Sequence, residues 1–204
     1  MNKGILFVVS APSGAGKTSL VNALVESQSN VTVSVSHTTR ARRSGEVPGV
    51  HYHFVDDDAF QKMSQRGAFL EQASVFGHHY GTSKEWVESQ LQAGRDIILE
   101  IDWQGAAQVR QWRQDCITIF ILPPSRAILR QRLRGRGQDS DEVIQRRLDE
   151  ASAEISHYDE FTYLVVNDDF DLALDKLEAI LTAERLKCVK HTAEMQTLVK
   201  ELLA

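Results

Sequence analysis

The chain has 204 residues, of which 42% are hydrophobic and 25% charged, and its formal net charge is −5 at pH 7. These values fit one globular domain with a buried core. The acidic balance argues against a general nucleic-acid binder, which normally presents a basic face, and no apolar run approaches transmembrane length. The two cysteines, Cys116 and Cys188, indicate free thiols in a reducing compartment. We therefore expect a cytoplasmic protein with no nucleic-acid or membrane partner.

Short apolar strands alternate with helical patterns along the chain. Predicted strands cover residues 4–10, 31–36, 69–76, 96–101, 116–122 and 162–166. Predicted helices cover residues 18–27, 56–67, 83–94, 106–112 and the chain from 171 onwards. The near-continuous apolar runs at 96–101 and 116–122 are typical of a parallel sheet that is covered on both faces. The alternation predicts an α/β fold with a doubly wound parallel sheet.

Two segments interrupt this alternation. Residues 34–82 contain short strands rich in polar groups, and residues 126–147 contain seven arginines in 22 positions. We interpret both as insertions on a single domain, whose core then comprises residues 1–33, 83–125 and 148–204.

The first predicted strand runs into APSGAGKTSL, which resembles the phosphate-binding pattern G-x-x-x-x-G-K-[ST] except for Ala11 at its first position. In such a loop, successive backbone N–H groups surround an anion and the following helix adds its positive N-terminus. Lys17 is expected to reach the β- and γ-phosphates, and Thr18 to ligate Mg²⁺. We predict that a nucleoside triphosphate binds Ser13, Gly14, Ala15, Gly16, Lys17 and Thr18.

The segment SVSHTTRARRSGEVPGVHYHF, residues 34–54, combines five hydroxyls, three arginines and a tyrosine. FLE, HHYGTS, LEIDWQG, RLRGRGQD and VVNDD follow in the order and spacing seen in guanylate kinases. Over about residues 4–185 the chain resembles a bacterial guanylate kinase. The resemblance implies an α/β P-loop fold with a GMP-binding segment (34–82) and a lid (126–147). It also implies γ-phosphoryl transfer from ATP to GMP, with dGMP as a further acceptor and Mg²⁺ as cofactor, and it leaves a homo-oligomer open.

The chemistry of GMP fits the polar segment. Arg40 and Arg43 carry planar guanidinium groups suited to phosphate oxygens. Guanine presents the acceptor O6 beside the donors N1–H and N2–H₂, so hydroxyls combined with carboxylates complement its edge. The site implied by the resemblance contains Ser36, Arg40, Arg43, Tyr52, Glu71, Tyr80 and Thr82.

The predicted strand DIILEI ends in acidic residues, as the strand with the Mg²⁺-side carboxylate does in P-loop enzymes. Guanylate kinases often have Asp where Glu100 stands, so the role of its longer side chain stays open within the GMP site. Asp102 is expected either at guanine or near the water shell of the metal.

Three arginines of the predicted lid, Arg132, Arg136 and Arg147, match family residues that close on the phosphates. With Lys17 they are the expected catalytic residues, because charge develops on the transferred phosphoryl group. Asn167 resembles the asparagine on the ATP side of the family.

Other interpretations remain. A ribose bisphosphate phosphokinase would keep the phosphate loop and the lid without the guanine-reading residues. A guanylate-kinase-like scaffold domain would bind phosphorylated partners without catalysis. The pairs His51/His53 and His78/His79 could also suggest a metal site.

Overall fold

The computed structural model describes residues 3–75, 77–135, 140–187 and 193–204. Its strands are β1 (Leu6–Ser10), β2 (Val31–Val33), β3 (His37–Thr38), β4 (His53–Phe54), β5 (Phe69–Val75), β6 (His78–Ser83), β7 (Asp96–Glu100), β8 (Ile117–Leu122) and β9 (Tyr163–Val166). Its α-helices are α1 (Lys17–Ser27), α2 (Asp57–Gln65), α3 (Lys84–Gln92), α4 (Trp103–Trp112), α5 (Arg126–Arg134), α6 (Asp141–Ile155), α7 (Phe170–Arg185) and α8 (Ala193–Leu202). Within these ranges, every helix falls short of the length and apolarity that crossing a bilayer needs.

Five parallel strands form the central sheet in the order β2-β7-β1-β8-β9. All five residues of β1 are buried, because β1 pairs on both edges and helices cover both of its faces. The order reverses direction at β1, where the chain leaves for β2 on one side and β8 lies on the other. Ligands of such sheets bind beyond the carboxyl ends of the strands at this switch point.

Apolar side chains pack against both faces of the central sheet. On one face, Phe7 and Val9 pack with residues of α1 and α7, such as Leu20 and Leu177. On the other face, Leu6 and Val8 pack with residues of α3 and α4. The α/β fold with a doubly wound parallel sheet is thus confirmed.

A second sheet, in the order β4-β3-β6-β5, is built from the predicted GMP-binding segment. The prediction of one strand over 31–36 is wrong in its second half. After Val33 the chain leaves the central sheet, and His37 pairs with Gly81 of β6 instead. Ser34 and Ser36 therefore lie in the connection between β2 and β3, where the Ser34 N–H still donates to the Ile98 carbonyl of β7.

The α5–α6 pair forms a third unit with its own small core of Leu129, Leu133, Ile144, Leu148 and Ala151. Ser125 and Ser140 cap the two helices, accepting bonds from the backbone N–H groups of Ile128 and Val143. Helix α6 continues past residue 147, the predicted end of the lid, to Ile155. The division into core, GMP-binding segment and lid therefore stays a prediction.

Candidate functional site

The glycine-rich loop follows β1 at the carboxyl edge of the central sheet. Gly14 and Gly16 have φ angles of 90° and 93°, a left-handed conformation that side chains disfavour. Gly16 is the N-cap of α1, and Lys17 and Thr18 are its first residues. The N-terminal end of α1 therefore points its positive partial charge at this loop, as an anion site requires.

Asn167, which follows β9, and Arg132 of α5 support the loop. The Asn167 side chain is buried and donates from Nδ2 to the Ala15 carbonyl at 2.7 Å. Arg132 donates from Nη2 to the Asn167 carbonyl at 3.0 Å. A Cβ atom on Gly16 would lie 2.4 Å from Asn167 Nδ2, so only glycine fits there. These contacts line up beside a cavity of about 400 Å³ lined by Gly14, Gly16, Ser19, Arg132, Gly135, Asn167, Asp168 and Phe170.

Lys17 and Thr18 both reach the end of the neighbouring strand β7. Lys17 Nζ donates to the Ile101 carbonyl at 3.4 Å, and Thr18 Oγ1 donates to Glu100 Oε2 at 3.0 Å. Burial lowers the pKa of Lys17, while the carboxylates of Glu100, Glu154, Asp102 and Glu71 oppose that shift. Among the described residues, the hydrogen bond of Lys17 Nζ goes to a backbone carbonyl and not to a carboxylate. The ammonium group therefore remains available to an incoming phosphate.

A larger cavity of about 650 Å³ joins the phosphate loop to the second sheet. Lys17, Thr18, Asn22, Glu100, Ile101 and Asp102 line one side. Ser34, Ser36, His51, Tyr52, Glu71 and Tyr80 are among the residues that line the other. Phosphate-loop groups and the predicted acceptor groups thus share one space, which is the requirement for direct transfer between two bound molecules.

Ser36, Thr82 and Glu71 form a hydrogen-bonded chain beside this cavity. Ser36 and Glu71 line the cavity, whereas Thr82, a predicted GMP ligand, is buried behind them and does not. Thr82 Oγ1 donates to Glu71 Oε1 at 2.6 Å, and Ser36 Oγ lies 3.3 Å from Thr82 Oγ1. Burial raises the pKa of Glu71 to about 7, although the hydrogen bond from Thr82 pulls it down. The carboxyl group is therefore poised between its neutral and charged forms. Because Thr82 gives its one proton to Glu71, Ser36 is the donor in its contact with Thr82 and would exchange that long contact for a ligand acceptor.

Asp102 does two things at the start of α4. Its Oδ1 accepts the backbone N–H of Gly105 at 2.8 Å and so caps the helix, while the residue also lines the cavity. A Cβ on Gly105 would lie 3.1 Å from Glu71 Oε2. The small residue therefore lets the Glu71 carboxyl group approach the capped end of α4.

Arg40 lies against Tyr52 and Tyr80, two aromatic residues of the same cavity, but like Arg43 it lines neither of the two cavities found among the described residues. Its Cζ is 5.4 Å from the centre of the Tyr52 ring, and the Tyr52 and Tyr80 rings are 5.9 Å apart. Hydrogen bonding to Glu46 raises the pKa of Arg40, burial opposes this shift, and hydrogen bonding to Tyr80 adds a lesser upward effect. Arg43 is exposed in the same loop and lines neither of the two cavities found among the described residues.

The predicted lid residues are only partly brought together. Arg132 contacts the phosphate loop, because its Nη1 donates to the Ala15 carbonyl at 3.5 Å. Arg147 lies half-buried on α6 and lines neither of the two cavities formed by described residues. Arg136 lies outside the described residues. Ser13 is exposed at the tip of the phosphate loop.

Sequence reasoning missed several groups at the site. Glu154 of α6 is close enough to Lys17 and Asp102 to interact electrostatically, and burial raises its pKa to about 7. A signal for it existed, because Glu154 stands two helical turns after Arg147 and therefore on the same face of α6. Glu46 and Gly105 lie within the quoted motifs, but no role was predicted for either from the sequence.

The histidine pairs have local partners. His51 Nδ1 accepts the Val47 N–H at 3.0 Å, and His79 Nδ1 lies 2.8 Å from Ser74 Oγ. Within residues 3–75, 77–135, 140–187 and 193–204, no group of three His, Cys, Asp or Glu side chains could hold a metal ion.

Comparison with known proteins agrees with this geometry. The family model described as guanylate kinase matches residues 3–184. The chain is 57% identical over 201 residues to a guanylate kinase of Saccharophagus degradans, covering 98% of both chains. It is 55% identical over 206 residues to that of Escherichia coli, covering 100% of both. The crystal structure of guanylate kinase from Anaplasma phagocytophilum superposes with a TM-score of 0.79 at 34% identity, covering 99% of this chain and 97% of that one.

A family match over most of the sequence, full-length relatives and a shared structure all point the same way. The ribose bisphosphate phosphokinase and non-catalytic scaffold interpretations are set aside by these full-length enzyme relatives. The chain therefore belongs to the guanylate kinase family, the enzymes that transfer the γ-phosphoryl group of ATP to GMP.

Proposed function

We propose that this transfer occurs within the 650 Å³ cavity, with the ATP phosphates on the phosphate loop and GMP on the second sheet. The observation that supports this most is that Lys17 and Thr18 line the same cavity as Ser36, Glu71 and Tyr80. Two substrates held in one space react as if within a single molecule, which can supply a large part of the rate enhancement.

Guanine is read by Ser36, Glu71 and Asp102. Ser36 donates to O6 in exchange for its 3.3 Å contact with Thr82, while the carboxylates of Glu71 and Asp102 accept from N1–H and N2–H₂. Thr82 acts through its bond to Glu71, whose carboxylate it orients and supplies with a donor. Adenine would place its unprotonated N1 against a carboxylate, and a buried polar site mismatched in this way discriminates by roughly 10⁴ or more.

The acceptor phosphate is held by Arg40, Arg43, Tyr52 and Tyr80. Arg40 is oriented by its neighbours, whereas Arg43 is exposed and would turn inward when the phosphate arrives. The phosphate oxygen of GMP is already an anionic nucleophile, so the reaction needs positioning and electrostatic stabilisation rather than a general base.

The ATP phosphates are surrounded by the backbone N–H groups of residues 13–18 and by Lys17. Arg132, Arg136 and Arg147 are the lid arginines that would stabilise charge on the transferred group and exclude water. Asn167 supports the loop through Ala15, and this contact, rather than one to adenosine, is its clearest link to the ATP side.

Mg²⁺ fits the oxygen groups at the start of α1. Thr18 Oγ1 and Glu100 Oε2 lie 3.0 Å apart at the cavity wall, and hydroxyl, carboxylate and phosphate oxygens are the ligands this ion prefers. Thr18 would hold the ion together with the ATP phosphates, and Glu100 would orient Thr18 or a water of the ion. When bound, Mg²⁺ neutralises phosphate charge in the transferring group.

Four finer assignments belong to this proposal. The GMP-binding segment covers residues 34–82, the lid 126–147 and the core the rest. dGMP serves as a second acceptor, because the guanine and phosphate contacts do not involve the 2′-hydroxyl. The enzyme works in the cytoplasm, and formation of a homo-oligomer is left open.

The test is ADP release from Mg·ATP with GMP, dGMP, AMP, UMP, CMP or ribose 1,5-bisphosphate as the only acceptor. Turnover with GMP and dGMP and little with the others supports the assigned site. The same panel with Glu71→Gln should show a raised KM for GMP and a relaxed choice of base. If Glu71→Gln altered only the ATP parameters, the assignment of the guanine site would be wrong.

A further inference from the structure

The loop that carries the three arginines closes around Glu46. Gly45, with a φ of 85°, turns the chain so that Glu46 folds back toward residue 40. The Glu46 N–H then donates to the Arg43 carbonyl at 3.2 Å, and Arg42 Nη1 lies 3.4 Å from the Glu46 carbonyl. Arg40, Arg42 and Arg43 are thus all tied to this one acidic residue.

The Glu46 carboxylate forms a bidentate ion pair with Arg40, using both of its oxygens. Arg40 Nη2 donates to Oε1 at 2.6 Å and Nη1 donates to Oε2 at 3.1 Å. Oε2 also accepts the backbone N–H of Arg43 at 2.8 Å. The side chains of Arg40 and Glu46 are only 11% and 16% exposed, so this pair is shielded more than a surface ion pair.

The ion pair leaves part of the guanidinium group available. Arg40 Nη1 also donates to the Ala41 carbonyl at 2.8 Å, so three of the five guanidinium N–H groups are used in the described bonds. The remaining two belong to Nε and to Nη2 and lie on one edge of the planar group. The Tyr80 hydroxyl is also within hydrogen-bonding reach of Arg40. Two parallel N–H groups on one edge are what bidentate binding of a phosphate requires.

We propose that Glu46 is a positioning residue for GMP: it fixes Arg40 in the orientation that presents its free edge to the acceptor phosphate. The inference rests on the proposed function, in which Arg40 binds that phosphate. Glu46 itself does not touch the substrate. Its effect runs through Arg40 and, by way of the backbone bond, through the start of the turn that carries Arg43.

Two opposing effects decide whether a substitution at Glu46 weakens or strengthens GMP binding. A carboxylate near a phosphate repels it, but this repulsion is weakened by the three arginines and by solvent at the cavity rim. Without the carboxylate, the long Arg40 side chain would have to be ordered by the ligand. Hydrogen bonds from Arg40 and from the Arg43 N–H lower the pKa of Glu46 to about 2, so it stays charged at neutral pH. We expect the loss of orientation to outweigh the loss of repulsion.

The experiment measures Kd by calorimetry for two ligands, GMP and guanosine, on the full chain. Glu46→Gln should weaken GMP binding about tenfold, the factor for ordering one long side chain, and leave guanosine binding unchanged. Asp58→Asn removes the same charge from an exposed position on α2 and should change neither. Thermal unfolding of each variant checks that the loop change has not unfolded the protein.

Arg40→Ala and the double variant separate this inference from the assigned site. Arg40→Ala should weaken GMP but not guanosine, and adding Glu46→Gln to it should then cost less than twofold. If Arg40→Ala behaves in this way while Glu46→Gln leaves GMP binding unchanged or strengthens it, Glu46 has no positioning role and the site stands. If Arg40→Ala affects GMP and guanosine equally, Arg40 is not a phosphate ligand and both assignments fail. An additive double variant would mean that Glu46 acts on GMP binding independently of Arg40, and the positioning role would be wrong.

Discussion

The Thr82 hydroxyl donates a 2.6 Å hydrogen bond to Oε1 of Glu71, and these residues are only 1% and 5% exposed. They stand eleven positions apart on the antiparallel pair β5–β6, at a register irregularity between Phe69 and Gln72. The bond links the carboxyl group that is proposed to read guanine to a donor that is supplied by the protein itself.

Replacing Thr82 by Val keeps the side-chain shape and removes this donor. The buried Glu71 carboxyl group then loses one of its hydrogen-bond partners, which should cost about 1–3 kcal/mol of unfolding free energy. KM for GMP should rise at least tenfold while KM for ATP stays the same. Denaturant unfolding and steady-state kinetics measure the two effects.

Thr118→Val is the matched control. Thr118 is equally buried and shares its hydroxyl with Thr162 at 3.1 Å, but it lines neither cavity of the described residues. It should lower stability without changing KM for either substrate. Equal effects of the two variants on KM for GMP would contradict a special role of the Thr82–Glu71 bond.

The stability of the free protein should fall as the pH rises through 7. Burial raises the pKa of Glu71 to about 7, above its ordinary value of 4.5. A carboxyl group with a raised folded-state pKa contributes stability below the unfolded pKa, and that contribution is lost as the pH passes the folded pKa. Between pH 5 and 8 the unfolding free energy should therefore decrease by about 1–3 kcal/mol from this group.

Glu71→Gln should flatten that pH profile, as measured by denaturant unfolding at pH 5, 6, 7 and 8. Burial likewise raises the pKa of Glu154 to about 7, so Glu154→Gln should flatten it further. Glu26→Gln, at an exposed position of α1, should leave the slope unchanged. A wild-type slope in the Glu71→Gln variant would show that Glu71 is ionised throughout this range.

How far the site could be predicted depends on the distance in sequence. The phosphate loop is a local motif, and Gly16, Lys17 and Thr18 lie where the pattern predicted them, at the start of α1. The pairing of Ala15 with Asn167 spans 152 positions and depends on β9 ending beside β8, which no local pattern encodes. The exposure of Arg43 and the ion pair between Arg40 and Glu46 likewise depend on how one loop folds around Glu46.

The ends of two secondary-structure elements, β2 and α6, could not be predicted from local sequence patterns for a different reason. VTVSVS has the alternation of one strand, yet its second half joins another sheet because His37 finds partners in β4 and β6. The basic composition of 126–147 predicts a lid, but helix α6, which begins within this segment, continues to Ile155 and brings Glu154 close enough to Lys17 to act on its pKa.

Lys17→Ala should reduce kcat by at least 10²–10³-fold, because a cation positioned at the developing charge is removed. The loss should appear in kcat more than in KM for GMP, since Lys17 is assigned to the donor phosphates. ADP-release kinetics at saturating GMP measure it. Lys62→Ala, an exposed lysine of α2, should turn over normally. Near-normal kcat for Lys17→Ala would exclude the phosphate-loop assignment.

Chelation of divalent ions should abolish turnover, because phosphoryl transfer from ATP requires a cation on the phosphate oxygens. Adding Mg²⁺ back should restore it. The proposed metal ligand gives a sharper measurement: Thr18→Val should raise the Mg²⁺ concentration for half-maximal activity, whereas Ser19→Ala, next in α1, should shift it much less. Full activity in excess chelator would contradict the proposed cofactor.

Asn167→Ala should loosen the phosphate loop without touching the acceptor site. It removes the 2.7 Å bond to the buried Ala15 carbonyl and weakens the seat of Arg132, whose Nη2 contacts the Asn167 backbone. Loss of one buried hydrogen bond costs about 1–3 kcal/mol, and KM for ATP should rise while KM for GMP is unchanged.

Asn30→Ala is the matched control, because its amide also binds one backbone carbonyl, that of Gly94 at 2.9 Å, but does so at the surface. Isothermal titration of ATP, together with thermal unfolding, separates the two contributions. If Asn167→Ala lowered stability with no change in ATP affinity, Asn167 would serve the fold alone, and the shape of the loop would be set by Gly14 and Gly16.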